Sequence, residues 1–136
     1  MKILVAYGTT EGQTRKVARF VADRLADAGH AVELLDAGDA DGLDIGRFGG
    51  VVLAGSIHGG RYQQAIADVA RGNAQALSAR PTLFLSVSLS AAGDDAEEWE
   101  GIRRIAREFA DETGWRPGRI EHVAGAFRFG EYDYFK

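Results

Sequence analysis

The sequence predicts an α/β fold, a parallel sheet covered by helices on both faces. Three observations predict it. Short apolar runs alternate along the chain with amphipathic helical patterns. Val51–Gly55 is continuously apolar, as a strand buried on both faces must be. The first apolar run also passes through a hydroxyl- and glycine-rich turn directly into a helix. The order 2-1-3-4-5 is one of the two common arrangements for such a sheet, and ligands sit at its switch point, beyond the carboxyl ends of strands 1 and 3.

Each element follows from its pattern. Ile3–Tyr7 is the first strand. A helix runs from about Gln13 to Ala28, with Val17, Phe20, Val21 and Leu25 on one face and Gly29 as its stop. Ala31–Leu35 is a short second strand, and the acidic, glycine-rich stretch Asp36–Gly49 a loop with at most one irregular helical turn. After Val51–Gly55 comes a helix from about Tyr62 to Leu77 that carries Ile66, Val69, Ala70 and Leu77 inward. Thr82–Val87 is a fourth strand, with Pro81 tolerated at its start. Asp94 or Asp95 caps a helix to about Thr113, with Trp99, Ile102, Ala106 and Phe109 on one side. Ile120–Phe127 reads as a fifth strand. The chain then ends at Lys136, where a sheet of this type would add a last helix. The expectation is one domain over residues 1–136 without that helix, and a homodimer where the sheet face would be bare.

The segment from Tyr7 to Ala18 carries the chemistry. Free N–H groups at a helix start, backed by the helix dipole, hold a phosphate. Thr9, Thr10 and Thr14 add hydroxyl donors, and Gly12 lets the backbone approach without a Cβ. No Gly-Lys-Ser/Thr follows, which excludes a nucleoside-triphosphate loop. The Gly-x-Gly-x-x-Gly dinucleotide pattern is missing. No acidic pair closes the first strand, which argues against a phospho-acceptor domain. Neutral donors in this number suit a dianionic monophosphate.

Tyr7, Thr9, Gly12, Thr14 and Ala18 resemble, in type and spacing, the flavodoxin signature. That resemblance implies a three-layer sandwich on a five-stranded sheet in order 2-1-3-4-5, with FMN as cofactor. A narrower resemblance lies in Gly55-Ser56-Ile57 followed by Tyr62, in Pro81-x-x-Phe84-x-Ser86-Val87-x-Leu89, in Trp115-Arg116-Pro117-x-Arg119 and in Ala124-Gly125-Ala126-x-Arg128. These segments, spread over nearly the whole chain, look like the bacterial menaquinone-dependent protoporphyrinogen dehydrogenases. The resemblance implies oxidation of protoporphyrinogen IX to protoporphyrin IX, a step of haem biosynthesis, with a quinone as acceptor. It also implies a cytoplasmic protein in peripheral contact with the inner face of the cell membrane. That contact would run through a basic C-terminal segment that the family carries and this sequence does not.

On the same resemblance Thr9, Thr10, Glu11, Gly12, Gln13 and Thr14 cradle the phosphate. Ser56, Ile57, His58 and Gly59 from the second turn, and Ser86, Ser88, Leu89, Ser90 and Ala91 from the third, flank the flavin ring. His58, Arg61 and Arg128 are candidates for touching substrate, since an arginine fork suits a propionate. No side chain is nominated as catalytic, because the flavin carries the redox step. His30, His122, Trp115 and Arg116 read as structural residues.

Composition bounds the alternatives. The formal net charge of −4, without a basic cluster, argues against a nucleic-acid partner. With no cysteine, disulfides, thiolate catalysis and cysteine-ligated metals are excluded. No two histidines stand at ligand spacing, so no metal site is expected. No apolar run approaches the ~20 residues of a membrane span, and the N-terminal run is too short for a signal peptide. Two other functions fit the same fold: a one-electron carrier (or an NAD(P)H/quinone flavoprotein), docking through the acidic stretches Asp36–Asp44 and Gly93–Glu100, and a cofactor-free binding module.

Overall fold

A computed structural model describes residues 1–10 and 12–124. In chain order the elements are β1 (Lys2–Tyr7), α1 (Gln13–Asp27), β2 (Ala31–Asp36), β3 (Gly50–Ser56), α2 (Gln64–Gly72), α3 (Ala74–Ser78), β4 (Thr82–Val87), α4 (Ala96–Thr113) and β5 (Arg119–Val123). All pairings are parallel and the order is β2-β1-β3-β4-β5, the arrangement expected. β1 and β3 are adjacent, so the chain leaves them in opposite directions and opens a crevice at their carboxyl ends.

The sheet separates two apolar layers. Ile3, Val5, Val52 and Leu85 meet Val17, Val21 and Leu25 of α1 on one face. Leu4, Leu53 and Phe84 meet Ile66, Leu77, Phe109 and Trp115 on the other. There Phe84 and Phe109 stack with centroids 4.9 Å apart, and Tyr62 meets both rings edge-on at 5.0 Å. Gly114, at φ 77°, ends α4 with its N–H on the Ala110 carbonyl and turns the chain so that Trp115 enters this cluster, fully buried.

Three local expectations are corrected. The helix expected over Tyr62–Leu77 is two helices that break at Asn73. The Asn73 side-chain amide donates to the Val69 carbonyl at 2.9 Å, competing with the helical ladder. Tyr62 precedes the first turn. The Asp36–Gly49 loop holds two short 3₁₀ turns, Ala37–Asp39 and Ile45–Arg47, because each Asp-x-Gly repeats the same cap: Asp36 accepts from Gly38 and Asp44 from Gly46, at 2.8 and 3.0 Å. Arg80 fixes the second of them by donating to the Ile45 and Phe48 carbonyls. On the helix side expected to carry Trp99, Ile102, Ala106 and Phe109, the last three are buried and Trp99 lies at the margin. It is half-buried, its indole N–H donates to the Gly93 carbonyl at 2.8 Å, and its ring meets His122 edge-on at 5.7 Å.

Asp95, not Asp94, caps α4, accepting from Glu97 and Glu98. β5 starts at Arg119, and the expected continuation to Phe127 falls beyond Ala124, outside the described residues, as do Glu11, Arg128 and the question of a last helix.

Tyr62 ties this core to the sheet. Its hydroxyl and that of the fully buried Ser86 are 2.7 Å apart, and burial pushes the phenol up to about 12, so it stays neutral through the physiological range. Tyr62→Phe strands the Ser86 hydroxyl, and a loss of about 1–2 kcal/mol in urea unfolding is expected.

Candidate cofactor site

Three turns converge at the carboxyl end of the sheet. In the first, the Gly8 N–H donates to the Ala54 carbonyl at 2.9 Å and holds the turn against β3. A Cβ on Gly8 would stand 2.9 Å from Ile66 Cγ1 and 3.0 Å from Gln63 Cβ, so only glycine lets α2 seat this closely. Thr9 Oγ1 then accepts from the Gly12 N–H at 2.7 Å. Gly12, at φ 86°, opens α1 with no side-chain cap and no acidic residue in the first helical turn. Thr14, one residue inside α1, is fully buried, and its hydroxyl has no hydrogen-bond partner among the described residues.

The second turn is a hairpin. His58 and Arg61 exchange backbone hydrogen bonds at 2.8 and 3.2 Å across Gly59 and Gly60, both at positive φ. The Ile57 N–H donates to the Val87 carbonyl and joins this turn to the third. In the third, the Ser88 N–H donates to the Val123 carbonyl, and Leu89–Ala92 closes as a 3₁₀ turn. The Ser88 hydroxyl is buried without a partner among the described residues, while Leu89 is 80% exposed.

Between the turns lies a cleft of about 220 Å³, lined by Thr9, Gln13, Ser56, Ile57, His58, Val87, Ser88 and Leu89. The structure thus brings together seven of the expected site residues: Thr9, Gln13, Ser56, Ile57, His58, Ser88 and Leu89. Gly12 and Thr14 flank Gln13 at the start of α1 and do not line the cleft themselves. Ser86 is not on the cleft; it is engaged with Tyr62 beneath the sheet. Ala91 is buried, Ser90 half-buried and Gly59 exposed at the hairpin tip. Arg61 is separated from His58, lining a neighbouring groove of about 170 Å³ with Tyr62, Arg71, Glu108 and Glu112 between α2 and α4.

One residue escaped the sequence reading. Gln63 accepts from the Ser56 N–H at 3.0 Å, and its amide nitrogen donates to Ser56 Oγ at 2.6 Å and to Thr10 Oγ1 at 3.0 Å. Nothing local signals this, since a glutamine ahead of a helix reads as solvated surface. Its neighbour Gln64 is of that kind, exposed and bonded only to Asp68 one helical turn on.

The chemistry of this donor set fits a phosphate ester. An uncapped helix start, with a buried hydroxyl behind it that lacks an acceptor, is suited to an anion. The cleft walls are aliphatic, from Ile57, Val87 and Leu89, and suit a flat apolar ring. No group of three or more His, Asp or Glu among the described residues could hold a metal ion.

His122 lies under the third turn, against Trp99. Burial first, and then the Arg103 guanidinium, hold its imidazole below the usual histidine range, with Glu121 opposing. The unfolded chain therefore takes up this proton more readily, and the folded state loses stability as pH falls below about 6.5. A thermal-unfolding series from about pH 8 to 5 should show that loss, and His122→Gln should reduce it.

Comparison with known proteins agrees with the geometry. A flavodoxin-domain family model matches residues 4–136. Protoporphyrinogen IX dehydrogenase (quinone) of Escherichia coli K12 is 29% identical over 135 residues, covering 99% of this chain and 74% of the relative. Among solved structures, a flavodoxin variant from Pseudomonas aeruginosa superposes with a TM-score of 0.66 at 22% identity, over 91% of this chain and 84% of that one. A Fusobacterium nucleatum flavodoxin variant bound to flavin mononucleotide gives 0.59 at 13% identity, over 88% and 67%. A match running from Leu4 to Lys136 on this strand order admits one assignment: the chain belongs to the flavodoxin-domain family.

Proposed function

We propose that this chain is an FMN-dependent oxidoreductase that removes hydrogen from protoporphyrinogen IX and reduces a quinone to the quinol. The observation that carries the cofactor is the Thr14 hydroxyl, buried and without a partner among the described residues, at the start of α1 where Gly12 offers no side-chain cap. Thr9, Thr10, Gly12, Gln13 and Thr14 hold the phosphate, with Glu11 in the same turn. Ser56, Ile57, His58 and Gly59 bound one side of the ring, and Ser88, Leu89, Ser90 and Ala91 the other. Bound FMN supplies the redox chemistry, and the protein positions it and excludes water.

Support for the porphyrinogen and quinone is similarity along almost the whole chain to a dehydrogenase of that name. The aliphatic walls are consistent with it, since Ile57, Val87 and Leu89 offer no aromatic ring that would stack over a bound flavin, which would leave room for a large planar reactant. His58, exposed at the cleft rim, is the substrate-contact candidate best placed; Arg61 reaches substrate only from the neighbouring groove.

A second reading is an electron carrier. Leu89, exposed beside Asp94, Asp95, Glu97 and Glu98, offers a docking edge of apolar and acidic character. One experiment separates the readings. The purified protein is mixed with FMN, desalted and examined by visible absorption, then supplied anaerobically with protoporphyrinogen IX and menadione. Flavin bands together with growing porphyrin fluorescence are expected. Flavin bands without porphyrin formation favour the carrier, and a colourless protein overturns both.

A further inference from the structure

We infer that Gln63 is a positioning residue for the cofactor phosphate: it turns the hydroxyl protons of Thr10 and Ser56 away from itself, leaving them to the turn that opens α1 and to the cleft beside it. The inference rests on the FMN reading above.

The argument starts from what each atom can do. A backbone N–H only donates, so the Gln63 oxygen must be the atom facing the Ser56 N–H, 3.0 Å away. That fixes the amide orientation, which distances alone leave ambiguous. The Gln63 nitrogen therefore faces Ser56 Oγ at 2.6 Å and Thr10 Oγ1 at 3.0 Å, and it has only protons to offer. Both hydroxyls must accept. A hydroxyl that accepts from Gln63 turns its own single proton elsewhere, and Ser56 lines the cleft while Thr10 belongs to the turn that opens α1. Gln63 thus converts two ambivalent hydroxyls into donors, Thr10 in the phosphate turn and Ser56 where the ring wall meets that turn.

The same side chain links the first turn to the second across 53 residues of sequence, from Gln63 to Thr10. Its Cβ lies in the close contact that requires glycine at position 8. The two turns are held in register before any ligand arrives, which lowers the ordering cost of binding.

The discriminating substitution is Gln63→Glu, nearly identical in shape. A carboxylate still accepts from the Ser56 N–H, yet it also accepts from both hydroxyls, drawing their protons inward and leaving lone pairs toward the phosphate. FMN and riboflavin, which differ only by the phosphate, are titrated by flavin fluorescence into the cofactor-stripped full chain. Gln63→Glu is expected to raise the FMN Kd by roughly 30-fold or more, about 2 kcal/mol. The riboflavin Kd should stay within about threefold of the parent, and hydrogen exchange at the Ser56 amide should remain as slow. A merely structural role would weaken both flavins together and speed that exchange, and this result overturns the inference. If the variant does not fold, Gln63→Ala is titrated the same way: a loss confined to FMN supports the inference, and parallel losses overturn it. A parent that binds FMN while Gln63→Glu matches it for both flavins overturns this inference alone. A parent that binds neither flavin overturns the FMN reading and the inference with it.

Discussion

Gly12→Val is expected to leave the protein colourless after it is mixed with FMN and desalted, with Thr14→Val weakened but not empty. Gly12 holds φ at 86°, a region in which a β-branched residue is strained by at least about 1–2 kcal/mol. A Cβ there would meet nothing within 4 Å, so the substitution causes no clash inside the protein. The damage falls on the conformation that starts α1 and on the open space beside it, which is where a phosphate would approach. A loss of affinity above about 100-fold is expected.

Thr14→Val changes one thing: a buried hydroxyl becomes a methyl of similar size. Removing a hydrogen bond to a charged group costs about 1.5–3 kcal/mol, roughly 10–100-fold in Kd. Without FMN the sign reverses, because the hydroxyl removed is buried and has no partner among the described residues. The melting temperature of the cofactor-free variant should equal or exceed the parent's. Weaker FMN binding combined with an unchanged or higher melting temperature is the signature of a ligand-directed hydroxyl. A Thr14→Val protein that binds FMN as tightly as the parent would sink the phosphate-turn assignment.

The second large effect concerns the fold. Trp115→Ala should cost about 3–5 kcal/mol, a large share of the 5–15 kcal/mol that holds a typical domain together. Trp115 is fully buried, meeting Phe84 edge-on at 5.7 Å and Phe109 at 6.4 Å. The rings around it are held by their own contacts, with Phe84 stacked on Phe109, so they relax only partly into the space left. Its indole N–H has no partner among the described residues. Trp115→Phe, which removes that orphaned donor while keeping an aromatic ring, should therefore lose much less than Trp115→Ala. Urea unfolding of the two variants checks the order, and equal costs would mean that the cavity is not the cause.

The fold was legible because each strand is short, apolar and bounded, and because Gly29 and Gly114 stop α1 and α4 where periodicity ends. The turn proposed to hold the phosphate is legible for a local reason, since its candidate donors lie within six residues of one another, from Thr9 to Thr14. What sequence hid was contact made across the sheet. Ser86 reads like Ser88, yet Ser86 lies inside β4 and meets Tyr62 beneath the sheet, whereas Ser88 follows the end of that strand and lines the cleft. Arg61 and His58 are three residues apart and pair as neighbours, but the hairpin between them sends them to different grooves. Gln63 is the clearest case, since all its partners were visible and its part in joining them was not. Helical spacing placed Trp99 beside Ile102 but could not show the bond from its indole to the Gly93 carbonyl.

The hairpin that separates His58 from Arg61 bears on how this site could diversify. Its shape is set by Gly59 and Gly60 and by backbone hydrogen bonds alone, and the flanking side chains stand in solvent. Exchanging exposed residues at such positions usually changes stability by no more than about 0.5 kcal/mol. Residues 58 and 61 can therefore drift, or be randomised in a library, while the glycines keep the loop in place. The side chains at this rim are thus open to variation without penalty to the scaffold, whereas Gly8, Gly12 and Gln63 are not.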